Sequence, residues 1–204
     1  MNEAAAPESA VWTTVAVDVP VQQVLAHCRN VEMLLRLNPY LEVRAWSESP
    51  GEFGPGKRYR IEALNEWTGI TRTLDLVVEQ AGADGFRLAY SEGYKHALEV
   101  RVAPHGPGSA LTLKEHYREA DSGAGAALVA EIDRSVMPWA AAVRRDLHRL
   151  RRWGGVPGFS RLRRFWIGMK PRERRIGRML VWVTVLEFVV FLFVFAIYWN
   201  EASR

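Results

Sequence analysis

Residues 15–39 read VAVDVPVQQVLAHCRNVEMLLRLNP, and the spacing of their apolar side chains changes partway along. Val15, Val17 and Val19 alternate with other residues, the period of a half-buried strand. After Pro20 the apolar positions are Val21, Val24, Leu25, Cys28, Val31, Leu34, Leu35 and Leu37, a spacing of three and four that predicts one or two short helices. Asn38-Pro39 ends them, because the residue before a proline avoids the helical region. A strand that passes straight into helices must find its sheet partners elsewhere in the chain.

Those partners follow. Residues 41–47, 57–64, 70–80, 86–92, 96–103 and 110–119 have strand character, separated by turn-forming PGEFGPG at 50–56, GADG at 82–85 and PHGPG at 104–108. The short connections predict hairpins and an antiparallel sheet. Beyond a hinge at 121–125, Leu128, Ile132, Val136, Trp139, Ala140, Val143, Leu147 and Leu150 form a stripe of helical period, so a long amphipathic helix is expected, with Pro138 inside it. The order predicts an α+β fold in which a curved antiparallel sheet wraps one long helix.

This order of elements resembles the START-like, or SRPBCC, superfamily, which includes polyketide cyclases/dehydrases and lipid-transport domains. The likeness is carried by residues 15–39, the run of strands and the helix with its internal proline, over residues 11 to about 152. It implies a helix-grip domain at 11–153 whose long helix closes a mostly apolar cavity for a hydrophobic ligand. Residues 1–10 read as a flexible N-terminus.

Strand parity indicates which side chains enter such a cavity, since residues two apart share a face. The apolar set carries polar companions: Arg72 with Leu74, Tyr90 and Glu92 with Leu88, His96 with Leu98, Glu115 and Tyr117 with Leu113, and Tyr59 with Ile61. With Trp139 from the helix these are the candidate ligand contacts. A buried unpaired charge costs several kcal/mol, so Arg72 is expected to pair with Glu115 or reach water. His96 beside Glu92 or Glu115 would make an acid/base couple, and His96, Glu115 and Arg72 are the candidate catalytic groups. The same residues at strand ends would serve only solubility or register. His27 and Cys28 read as packed side chains rather than a nucleophilic dyad. No phosphate-binding, dinucleotide-binding or hydrolase motif occurs, so no cofactor is expected, and a lone cysteine offers neither a disulfide nor ligand spacing for a metal.

Residues 179–199, MLVWVTVLEFVVFLFVFAIYW, contain 21 residues with a single charge, Glu187, and would span about 31 Å as a helix. An acid near the centre costs roughly 3 kcal/mol, against 14 Leu, Ile, Val and Phe side chains contributing about 0.3 to 0.6 kcal/mol each, so insertion wins. Trp182, Tyr198 and Trp199 fit interfacial belts. Charge is unevenly placed: residues 144–178 hold 13 basic and 2 acidic side chains, a net of +11, in a chain of net +4. By the positive-inside rule the domain faces the cytoplasm, residues 200–204 emerge opposite, and the protein is tail-anchored and single-pass. Within 154–178, Arg161, Arg163, Arg164, Trp166, Lys170, Arg174, Arg175 and Arg178 are expected at the lipid surface, since the cluster adjoins a span rather than a nucleic-acid-binding motif.

Three functions fit these residues. One is membrane-tethered binding or transfer of a hydrophobic small molecule such as a lipid, isoprenoid or quinone. Another is a cyclase or dehydratase acting on a polyketide-like substrate. The last is an adaptor or assembly factor that meets a membrane-protein partner through Glu187.

Overall fold

A computed structural model describes residues 9–93, 95–117 and 125–202, with side chains from residue 10 onward except those of 125–134. The expected flexibility of residues 1–8, the hinge at 121–124, the strand end at 118–119 and the stripe residues Leu128 and Ile132 lie outside what is described. The chain divides into two compact units, residues 1–168 and 169–204.

In the first unit, β1 (Ser9–Val17) leads into α1 (Val21–Cys28) and α2 (Val31–Arg36). Asn30 caps α2 by accepting from the Met33 amide at 3.0 Å, and Asn38 closes the turn by accepting from the Tyr40 amide at 3.0 Å. Six strands follow: β2 (Leu41–Glu48), β3 (Arg58–Asn65), β4 (Ile70–Ala81), β5 (Gly85–Tyr90), β6 (Lys95–His105) and β7 (Gly108–Tyr117). They form one seven-stranded antiparallel sheet in the order β1-β7-β6-β5-β4-β3-β2. Bulges at Val43/Ala45, Val78/Gln80 and Lys95/Ala97 bend the sheet where a flat ladder would not close on a helix. Gly108 permits the approach of β1, since a Cβ there would lie 2.2 Å from the Val17 carbonyl oxygen.

The concave face buries Tyr59, Ile61, Leu76, Val78, Phe86, Leu88, Leu98, Val100, Leu111 and Leu113. The long helix α3 (Gly125–Trp153) packs against β1 and β7 and buries Val136, Trp139, Ala140, Val143 and Leu147, the described part of the expected stripe except Leu150, which is exposed. Trp139 is the largest buried side chain, and its indole N–H donates to the Leu34 carbonyl at 2.8 Å. That bond joins α3 to α2 without leaving a buried donor unpaired. This is the helix-grip arrangement.

The first unit extends to Gly168, because α4 (Phe159–Gly168) packs on the domain through Ile167 and Arg163. The second unit contains α5 (Pro171–Ala202), a helix of 32 residues with mean hydropathy 2.7 in its most apolar window, long and apolar enough to cross a membrane. Pro171 opens it, and Glu173 accepts from the Lys170 amide at 3.1 Å, a capping contact at the expected offset. Arg172, Arg174, Arg175 and Arg178 therefore share one continuous helix with the apolar run rather than a separate interfacial segment.

Candidate functional site

Between the sheet and α3 lies a hollow walled by Leu35, Leu41, Ile61, Ala63, Leu74 and Trp139. Water-sized atoms can occupy about 80 Å³ of it, and the whole depression including its open mouth measures about 710 Å³. The strands supply alternate residues, and Ala63 leaves room where a larger side chain would close the space. Asn65, Thr68 and Ile70 bring the β3–β4 hairpin to the mouth. Arg72 and Glu92 line it while remaining exposed, so their charges stay hydrated. Gly93, with φ of +95°, sits where an added Cβ would lie 3.3 Å from the Arg72 guanidinium.

One charged pair penetrates further. Glu115 is 1% exposed and lines the hollow. The Lys95 ammonium lies 2.6 Å from its Oε1, and the Tyr117 hydroxyl donates to its Oε2. A carboxylate so enclosed is tolerable only with such partners, and both are charge-assisted bonds.

Lys95 corrects the reading of strand parity. β6 pairs Lys95 with Tyr117 and then Ala97 with His116, so His96 is the extra residue of a bulge. The slip turns Lys95 to the concave side that period two had assigned to His96. The expected Arg72–Glu115 pair is replaced by Lys95–Glu115, and His96 is half-buried outside the hollow's lining. Of the other candidates, Leu74, Tyr90 and Trp139 line the hollow with Arg72, Glu92 and Glu115. Leu98 is core, Tyr117 reaches the site only through Glu115, and Tyr59 lies in a separate depression with Arg29, Trp46 and Phe53. Burial and the nearby Glu48 push the Tyr59 phenol up to about 12. No local residue type marks the bulge, so Lys95 carried no signal in the sequence.

A second buried polar cluster joins the helices. Arg163 of α4 donates through Nε to both Asp146 carboxylate oxygens at 3.0 and 3.1 Å, and its Nη2 meets the Met33 sulfur at 2.6 Å. His27 Nε2 lies 3.4 Å from Asp146 Oδ2. Arg163, expected at a lipid surface, is thus turned inward, because Asp146 is a buried acid that requires a cation. Burial pushes the His27 imidazole down to about 4, with Asp146 opposing and Arg163 reinforcing the shift. Burial likewise pushes the Cys28 thiol up to about 12, leaving it unreactive. Among the described residues no group of three His, Cys, Asp or Glu is placed to hold a metal.

The seven-stranded sheet gripping α3 is shared with solved structures. The Zhui aromatase/cyclase from Streptomyces sp. R1128 superimposes with a TM-score of 0.59 at 17% identity, covering 73% of this chain and 99% of that one. The KanY protein gives 0.56 at 17% identity, covering 70% and 99%, and Ara h 8.0201 gives 0.53 at 12%, covering 69% and 98%. The likeness shows the helix-grip fold, and α5 is an apolar helix at the C-terminal end of this chain. No family profile and no curated protein matches the sequence.

Proposed function

We infer that this protein is tethered to a membrane by residues 179–199 and binds an apolar small molecule, lipid-like or aromatic, in the hollow between its sheet and α3. The observation that carries the reading is an apolar-walled hollow with one buried ion pair, in a chain whose α5 is long and apolar enough to span a bilayer. An apolar body would displace water from Leu35, Ile61, Leu74 and Trp139, worth about 25 cal/mol per Å² buried. An oxygen on the guest would accept from Lys95, which is a quarter exposed and has protons beyond the one given to Glu115. The inner space of about 80 Å³ is below the roughly 300 Å³ of pockets that enclose whole drug-sized ligands. The guest therefore inserts one end and leaves the rest in the mouth. Arg72 and Glu92 then meet its outer polar groups, and the basic excess of 144–178 favours a cytoplasmic domain by the positive-inside rule.

Native mass spectrometry of the detergent-extracted full chain tests this. Retention of a small apolar molecule, lost in a variant whose hollow is filled, supports it. A chain that carries none and takes up none from added lipid extract overturns it.

The Lys95–Glu115 pair, backed by Tyr117, also favours a second reading, an enzyme of the cyclase or dehydratase type, because a proton donor and an acceptor line the hollow. The aromatase/cyclase among the fold relatives is consistent with it. It requires turnover that Lys95→Met abolishes while ligand retention persists.

A further inference from the structure

The helix α4 has two unlike sides. Phe159, Arg163 and Ile167, spaced four apart, make the inner strip, buried or half-buried, with Arg163 clamped to Asp146. The outer side presents Leu162 at 63% and Phe165 at 65% exposure, three apart, beside exposed Arg161 and Arg164, and the helix holds no acidic residue. Such exposure of large apolar side chains is unfavourable in water, and the end of α3 and the loop after it add Trp153 and Val156, each nearly half exposed. Only Met169 and Lys170 separate α4 from α5 in sequence.

We propose that the outer side of α4 docks on an anionic lipid surface, Leu162 and Phe165 entering the acyl boundary while Arg161 and Arg164 meet headgroup phosphates. The charge fixes this occupant. A strip of arginines without acids, within the +11 segment and two residues from an apolar spanning helix, complements a negatively charged bilayer and is held beside one. The Arg163–Asp146 clamp gives the docking its consequence, since α4 belongs to the domain's compact unit and a docked α4 holds the domain against the bilayer. The inference rests on the tether of the proposed function and is independent of the ligand.

The test uses the full chain in nanodiscs of phosphatidylcholine, with or without phosphatidylglycerol. Leu162→Cys carries a fluorescent label, as does Phe165→Cys in a second variant. Buried Cys28 does not compete for the reagent. In anionic discs both labels should be quenched by brominated lipid chains and severalfold less accessible to aqueous iodide than a label at exposed Glu52→Cys. The pair Arg161→Glu and Arg164→Glu should restore iodide access. Labels as wet as that at residue 52, or labels that stay in lipid after charge reversal, overturn the proposal. Carbonate washing separates its failure from that of the tether. A chain retained in membranes with wet labels refutes only the docking, and a chain washed free refutes the span.

Discussion

The ammonium of Lys95 lies 2.6 Å from Glu115 Oε1 because a bulge at His96 shifts β6 by one residue against β7. The two partners differ in their access to water: Glu115 is 1% exposed and Lys95 24%. Their removal should therefore be unequal.

Lys95→Met leaves a buried carboxylate supported only by Tyr117 and should cost about 3 kcal/mol, the usual penalty for breaking a buried pair. Glu115→Gln leaves an ammonium that can turn toward the mouth and an amide that still bonds Tyr117, so it should cost about 1 kcal/mol. Tryptophan-detected thermal unfolding of the full chain in detergent measures both. Equal losses, or a larger one for Glu115→Gln, would mean that Lys95 does not neutralise the acid.

The same bulge marks where sequence reading stopped. Element order was legible because hydrophobic period is a local property: the change at Pro20, the turn-bounded strands and the stripe from Val136 to Leu147 each needed only neighbouring residues. Arg72, Leu74, Tyr90 and Glu115 reached the hollow because their strands keep period two up to it. Lys95 and His96 exchanged roles because register is set by pairing with β7, a partner distant in sequence. Arg163 was misplaced for a related reason. Its partner Asp146 is one of two acids among thirteen basic residues of 144–178, and composition alone does not reveal that this acid is buried.

His27 should make stability depend on pH. Its imidazole is held down to about 4 in the fold against an ordinary 6.5, so between these values the unfolded chain binds a proton that the folded chain does not. Stability contributed here is complete above about pH 6.5 and lost as pH falls toward 4, by up to about 3 kcal/mol. His27→Gln, which replaces the imidazole with a side chain that does not titrate, should flatten the melting temperature over that range. An unchanged slope would assign the effect to other groups.

Arg163→Met removes the bidentate partner of Asp146 and leaves His27 beside an unpaired carboxylate. Destabilisation of about 3 kcal/mol is expected, with proteolysis of α4 accelerating. The remaining acid should also draw His27 upward, since Arg163 contributes to its depression, so the acid-side loss of stability should become smaller and end at a higher pH. Arg163→Lys should recover less than half of the stability, because an ammonium cannot reproduce the two-pronged contact. Full recovery would show that charge alone is needed there.

Ala63 is 4% exposed and faces the hollow from β3 between Ile61 and Asn65, so enlarging it tests whether that space is occupied in use. Leucine adds three carbons to a site with about 80 Å³ to receive them. Overpacking normally costs about 1–3 kcal/mol, yet here the added atoms enter empty space and gain burial, so Ala63→Leu should leave the melting temperature within a few degrees of the parent or raise it. Bound small molecule, counted by native mass spectrometry of the full chain, should fall at least tenfold, equivalent to about 1.4 kcal/mol. Leu98→Ala, which empties a fully buried core position outside the hollow, should do the reverse, lowering stability by about 2–5 kcal/mol with retention of the guest. If Ala63→Leu folds normally and still carries the molecule, the guest sits elsewhere, and the hollow between the sheet and α3 is a packing defect rather than a site.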